Sequence, residues 1–402
     1  MNIILGIIVG LFVLMFLVTA HEFGHFIAAR RNGVRVLEFG ICFPPRAIAW
    51  KKGKDGKWHK LPKSEWGKPQ DSLIFSLNWL PIGGFCQMDG ESANDKRKGT
   101  FGKASFWSKT KILFAGVVMN WLTAFLILTI LAWTGMPKFI DNQFSIASDE
   151  TADCKPIQVI EVIPDSPAEK AGLVPGDQIT KIGDETICSA SQVTSINSAN
   201  AEKAITYTVL KSEGDTDNHE QTLEVALNPS SSEYLLGITM SSSQTLYHST
   251  WSAPIVGAGL TVQLTGETLK GVGELIWNLV TGLGRQFSFD ASTREAGQDA
   301  ISAAGDSVTG PVGIIGIIFP SFTSAGATNV AFLAAFISVS LACMNILPIP
   351  ALDGGRWLLI AIYKLRKKEL EKETEEKIVS RAFMIILALS LLITILDITR
   401  FF

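Results

Sequence analysis

Residues 21–25 read His-Glu-Phe-Gly-His, and this short run carries the strongest chemical signal in the chain. On a helix, residues four apart share a face, so His21 and His25 can present two imidazoles to one metal ion. Glu22 sits one residue after the first imidazole and three before the second. From there its carboxylate can hold a water and accept its proton. This is the H-E-x-x-H arrangement, two zinc ligands plus a general base. Zinc polarises a carbonyl and lowers the pKa of coordinated water to about 7, and the base passes the proton on to a leaving amine.

The surroundings sharpen the signal. His21, Glu22 and His25 are the only ionisable side chains between residues 3 and 29, and the first Lys or Arg is Arg30. Three such groups left unpaired in hydrocarbon cost several kcal/mol, so partners must reach them.

A catalytic zinc site needs a third protein ligand and one open position. His59, His219 and His248 lie in polar segments far from any apolar run. Asp353, in "NILPIPALDGGRW" at the end of the third apolar run, is the better candidate. Pro348 and Pro350 break the helix before it, and Gly354 and Gly355 permit close backbone approach. An interfacial turn with a solvated Asp is the alternative for this segment taken alone. Asp397, near the outer end of the last apolar run, is a rival of lower rank.

Four stretches are apolar over the roughly 20 residues that cross about 30 Å of hydrocarbon; they begin near Asn2, Ile112, Val330 and Ala382. "LVTA" imitates a signal-peptide cleavage site, but the positive n-region is missing, so a retained span is expected. Of 402 residues, 47% are hydrophobic and 18% charged, a membrane composition; the net charge of −3 points to no nucleic-acid partner.

The 35 Lys and Arg fall 17 in residues 30–111, 8 in 356–381 and 9 in 136–310, with Arg400 remaining. By the positive-inside rule the first two segments are cytoplasmic, and 136–310 and both termini lie outside. His21 is then about 27–30 Å along its helix, toward the cytoplasmic side, the level at which Asp353 leaves the third run. Cys42 and Cys86 fall in the cytoplasmic loop and Cys343 in a span; Cys154 and Cys188 share the outer region and could pair.

The expected fold is a multi-pass α-helical membrane protein of about four spans, with a membrane-associated β element and one inserted α+β domain. The first span is 1–30. A cytoplasmic loop, 31–111, holds two strand-like pieces, "GVRVLEFGICF" and "DSLIFSLNWLPIGGF". These form either re-entrant β-hairpins beside a cavity or a small cytoplasmic sheet. The second span is 112–135 and the outer domain 136–252. There "DSPAEKAGL" is a short helix with Ser166 as N-cap and Pro167 at its first position. Residues 253–310 hold an amphipathic helix, on the membrane surface or against the outer domain, followed by a polar loop, "STREAGQDAISAAGDS". The third span region is 311–355, a second cytoplasmic loop 356–381, and the fourth span 382–402.

With HEFGH in a first span, "NILPIPALDGG" at a third, "AGVVMN" opening the second and "FSLNWLPIGGF" in the loop between, the chain resembles the site-2 protease family of intramembrane zinc metalloproteases. The likeness is to the bacterial regulator of sigma-E branch. The resemblance implies that His21, His25 and Asp353 are zinc ligands, Glu22 the catalytic base, and Asn345 a residue that helps hold substrate or the oxyanion. It makes the outer domain PDZ-like, through "DSPAEKAGLVPGDQI", with room for one such module. It makes the loop strands, with Gly83, Gly84 and Phe85, a re-entrant element that takes substrate as an added strand.

The implied activity is cleavage of transmembrane segments of single-span proteins, anti-sigma factors or signal-peptide remnants, in regulated intramembrane proteolysis. Zinc is then the cofactor, the bilayer and the substrates are the partners, and a monomer in the bacterial cytoplasmic membrane is the expected state. Two other readings fit the residues: a membrane-anchored adaptor with a structural metal site, and a metal-handling protein. Transport favours ligands spread along several spans, whereas here they gather at one level.

Overall fold

The computed structural model describes residues 2–53, 55–66, 68, 72–91, 95–140, 142–153, 156–211, 220–229, 234–240, 245–288, 290–306 and 309–401. The chain divides into two compact units, one of Met1–Leu131 with Pro254–Phe402 and one of Ala132–Ala253.

In the first unit, α1 (Asn2–Arg31) is a thirty-residue helix with no proline. It stops at Gly33, whose φ of +74° is the left-handed conformation that closes helices, and the Val34 amide donates back to the Ala29 carbonyl at 2.9 Å. Arg30 and Arg31 occupy its last turn, where cations suit the helix dipole.

The chain then forms β1 (Val36–Lys52), β2 (Trp58–Lys60) and β3 (Ile74–Met88). The two long strands each turn back on themselves, at Cys42 (φ +65°) and Gly83 (φ +85°). Consequently Glu38–Ile41 pair in step with Ile74–Leu77 on one side and antiparallel with Gly84–Gln87 on the other. Arg46–Lys51 pair back onto Ile74–Asn78, and β2 completes that edge. Residues 84–88 form the opposite edge, along α1. A Cβ on Gly84 would lie 3.1 Å from the Thr19 hydroxyl, and one on Gly83 2.8 Å from Val18. The rings of Phe26, Phe39 and Phe75 meet at 5.3–5.8 Å and bind the sheet to α1. Glu38 is only 4% exposed, and its charge is answered across the sheet by Arg46, whose Nε donates at 2.9 Å.

The helix α2 spans Phe106–Thr134. In the second unit, β4 (Thr151–Asp153), β5 (Ile157–Val162), α3 (Pro167–Lys170), β6 (Gln178–Ile182), β7 (Glu185–Thr186), α4 (Ala190–Ala199), β8 (Ala204–Leu210), β9 (Glu220–Ala226), β10 (Ile238–Met240) and β11 (Leu246–His248) follow in turn. The main sheet runs β10-β5-β6-β8-β9, with β7 against β6, and β4 and β11 form a separate pair. Alternate residues Ile157, Val159, Tyr207, Val209, Leu223 and Val225 fill its core, the period-2 burial expected of a half-buried sheet. Ser166 caps α3, its hydroxyl accepting from the Glu169 amide at 3.2 Å. Cys188 is disulfide-bonded while Cys42, Cys86 and Cys343 are free; Cys154, the fifth cysteine, lies outside the described residues.

Asp149 ties this unit's end to its start. Its carboxylate accepts from the amides of Thr250 and Ser252, both at 2.9 Å, and from their hydroxyls at 2.5 and 2.6 Å. Desolvation opposes ionisation there, but the hydroxyls and amides of Ser252 and Thr250 win and hold the carboxyl at about 2, below its ordinary 3.8. A depressed folded-state pKa gives stability that is present above 3.8 and is lost as pH falls toward 2. Hydrogen exchange at the Thr250 and Ser252 amides should therefore be faster in an Asp149→Asn variant at pH 7, with the difference from wild type closing near pH 2. A difference that persists unchanged at pH 2 contradicts this account.

The first unit resumes with α5 (Ala253–Gln286), α6 (Ala291–Asp306), α7 (Pro311–Gly313), one π turn (Ile314–Ile318), α8 (Phe319–Ser324), α9 (Ala327–Ile346), α10 (Asp353–Leu365) and α11 (Lys372–Phe401). Helices α1, α2, α9 and α11 are long and apolar enough to cross a membrane.

Two expectations change. The polar segment read as a loop is α6. Asp290 caps its start, accepting from the Thr293 amide at 3.2 Å, and Gly282 of α5 approaches Gly297 of α6 so closely that a Cβ would lie 2.9 Å from its carbonyl. The 356–381 segment is mostly helix, because backbone hydrogen bonding does not stop where apolar side chains end; α11 begins at Lys372, with Glu373 and Glu375 favouring its N-terminus. Asp353 is the first residue of α10.

Candidate metal centre

Two packing events build the centre. Helices α1 and α2 cross at small residues: a Cβ on Gly24 would sit 2.3 Å from the Ala115 carbonyl. One on Gly116 would sit 2.5 Å from His21 Cε1 and 2.6 Å from His25 Nε2. The missing side chain at Gly116 is the space the two imidazoles occupy. On the other side, the chain breaks after α9 and folds back on Gly354 and Gly355. Cβ atoms there would lie 2.2 Å from the Ile346 carbonyl and 2.0 Å from that of Ile349. Only glycine fits this return, which brings Asp353 to the histidines.

The donor atoms converge. His21 Nε2 is 3.1 Å from His25 Nε2 and 3.1 Å from Asp353 Oδ2, and His25 Nε2 is 3.3 Å from the same oxygen. A tetrahedral zinc site with bonds of about 2.0–2.1 Å separates its donors by roughly 3.3 Å, so this set is of the right size. His25 Nδ1 donates to the Ile112 carbonyl of α2 at 2.8 Å. A carbonyl only accepts, so Nδ1 holds the proton and Nε2 keeps its lone pair.

His21 Nδ1 faces the side-chain amide of Asn120 at 3.3 Å. Asn120 is fully buried, its Oδ1 has no partner among the described residues, and its backbone is held by the Ser338 hydroxyl at 2.8 Å. With the amide oxygen turned to Nδ1–H, that orphan acceptor is satisfied and His21 also presents an Nε2 lone pair. Asn120→Leu removes this hold at similar volume. Chelator competition should then show zinc bound roughly 10–100-fold more weakly; unchanged affinity removes Asn120 from the centre.

Glu22 joins His21 and His25 in a group whose candidate ligand atoms lie within 4.8 Å of one another. Its carboxylate faces the backbone of Cys86, on the edge segment that contains Gly83, Gly84 and Phe85. Asp353 also lines a cavity of about 440 Å³ with Glu91, Arg356, Glu375 and Phe383.

The other candidates lie outside the set of three converging donors. Asn345 donates to the Leu341 carbonyl of its own helix at 3.0 Å and bonds none of the three donors. Asp397 accepts from the amides of Gly310 and Gly313 at 3.2 and 2.9 Å, capping α7, so its carboxylate is taken up far along the chain from the histidines. His59 pairs with Asp55 at 2.9 Å, His248 lies in β11, and His219 is outside the described residues. The roles of Ile112, Gly116 and Asn120 were missed from sequence. Gly116 and Asn120 lie in the "AGVVMN" run, whereas Ile112 precedes it and acts through its backbone carbonyl, which no side-chain pattern marks.

Two imidazoles from α1, a helix that can cross a membrane, meet a carboxylate from the start of α10, a donor set of the kind that holds zinc in metallopeptidases. Residues 9–390 match the model of peptidase family M50, and the chain belongs to that family. It is similar to a protein of Rhizobium meliloti, 26% identical over 405 residues, 96% of this chain and 93% of the other. It is also similar to the Bacillus subtilis regulator of sigma-W protease RasP, 25% identical over 478 residues, covering 97% and 98%. The zinc metalloprotease RasP of Bacillus licheniformis is 26% identical over 457 residues, covering 97% and 98%.

Proposed function

We propose that the protein is an intramembrane zinc endopeptidase that cuts the transmembrane segments of single-span proteins. The observation that carries this is the approach of His21, His25 and Asp353, whose donors lie within 3.3 Å although Asp353 is 332 residues from His21. These three residues hold zinc, and relatives named zinc metalloproteases support the metal. Zinc bound there supplies Lewis acidity for the scissile carbonyl. Glu22 accepts the proton of the attacking water and delivers it to the departing amine nitrogen. The Ile112 carbonyl and Asn120 keep the imidazoles oriented. Water arrives by the cavity that Asp353 lines.

A transmembrane helix hides its peptide bonds in internal hydrogen bonds, so it must be unwound before cleavage. The edge at Gly83, Gly84 and Phe85 offers a strand partner that replaces those bonds, and the Cys86 contact to Glu22 supports its nearness to the base. Asn345 assists in holding the substrate. The unit Ala132–Ala253 is a PDZ-like domain outside the membrane that filters or recognises substrates, and the Lys and Arg distribution supports that orientation. The enzyme acts as a monomer in the bacterial cytoplasmic membrane, in regulated intramembrane proteolysis. Anti-sigma factors or signal-peptide remnants are its substrates, the first in keeping with a Bacillus subtilis relative named as a regulator of sigma-W.

The test is reconstitution of the zinc-loaded protein with a single-span substrate already trimmed of its outer domain. Mass spectrometry should place the cut inside the hydrophobic segment. A cut confined to soluble residues, or none at all, rejects the reading.

A further inference from the structure

A cavity of about 390 Å³ lies where the start of α2 meets the end of α10, away from the metal centre. Five lysines line it, Lys96, Lys103, Lys109, Lys364 and Lys368, with one lining carboxylate, Glu369, while Glu375 answers the charge of Lys109. Glu369 is taken by Lys96 at 2.9 Å. Lys103, Lys364 and Lys368 have no carboxylate partner among the described residues; Lys364 rests 3.9 Å from the centre of the Phe106 ring. Like charges gathered in one concavity repel and call for an anion.

The walls say which anion. Ile360 and Leu370 are buried apolar residues, and Phe106 and Tyr363 add aromatic faces. Next to the cavity, Trp107 is 70% and Leu365 83% exposed. An exposed Trp at the end of a spanning helix marks the membrane–water boundary. Free phosphate gains nothing from such walls, whereas a lipid lays its glycerol and first methylenes on them. Ammonium groups suit a phosphate as point charges, without the paired geometry that favours guanidinium. We infer that this cavity binds the phosphate headgroup of an anionic phospholipid, as basic pockets between membrane helices do. A lipid there grips α10, which begins at Asp353, and α2, which carries Ile112, Gly116 and Asn120, so it braces both sides of the metal centre.

The test titrates the purified full-length chain in detergent with phosphatidylglycerol and with phosphatidylcholine, counting bound lipid by native mass spectrometry. Its readout is lipid, so it stands or falls apart from the peptidase reading. Phosphatidylglycerol should bind in preference. Lys103→Gln, Lys364→Gln and Lys368→Gln combined should weaken it about fivefold per lysine, roughly 100-fold in all, with zinc content unchanged. Lys52→Gln, Lys57→Gln and Lys60→Gln combined, the same charge loss on β1, β2 and the turn joining them, should leave binding near wild type. Equal binding of the two lipids, equal losses in the two triple variants, or displacement by inorganic phosphate or an acidic peptide at matched charge each overturns the proposal.

Discussion

Glu22→Gln should keep its zinc and lose its cleavage. The substitution preserves shape and hydrogen-bonding reach, and His21, His25 and Asp353 make their mutual contacts without Glu22. What disappears is a group able to accept a proton. General-base catalysis contributes roughly 10²–10⁴-fold, so turnover of a reconstituted single-span substrate should fall by that factor while bound zinc, measured by elemental analysis, stays at the wild-type level. Wild-type turnover by a zinc-loaded Glu22→Gln protein means the base lies elsewhere. Loss of zinc together with activity means Glu22 belongs to the ligand set.

Gly116→Ala should have a comparable effect through a single methyl group, and by the opposite route: zinc goes first. The added carbon would fall 2.5 Å from His21 Cε1 and 2.6 Å from His25 Nε2, inside the van der Waals limit of both rings. Neither neighbour can yield cheaply. Helix α2 cannot back away without opening the contact at Gly24 and Ala115, and His25 is tied to Ile112 of the same helix. The imidazoles must therefore move. A shift approaching 1 Å costs on the order of 10²-fold in function, and zinc retention against a chelator should drop by a similar factor. Gly271→Ala in α5, where a Cβ meets nothing within 4 Å, controls for the general effect of Ala on a helix and should lose neither metal nor activity. Full zinc retention by Gly116→Ala would show that the rings have room the packing does not indicate.

The four long apolar helices were legible because the length that spans a bilayer follows directly from its thickness. The HEFGH run was legible because its meaning depends on helix periodicity alone. Other features were hidden. Helix α6 was read as a loop because its weak apolar content masked the cap at Asp290. The double-back of β1 and β3 was invisible because a strand pattern of period 2 does not tell which segment pairs with which. Asp397 looked like a ligand because a carboxylate in an apolar run needs a partner, and sequence cannot distinguish a metal from two backbone amides.

By itself, then, the sequence determined which groups were too costly to leave alone in hydrocarbon: His21, Glu22, His25 and Asp397, with Asp353 at a break. Those costs belong to single residues and their immediate neighbours. Tertiary structure decided which of them meet. The glycines at 24 and 116 bring α2 against the imidazoles, and those at 354 and 355 turn the chain so that Asp353 reaches the imidazoles while Asp397 caps α7. Proximity between residues hundreds apart is fixed by close packing, and no local pattern encodes it.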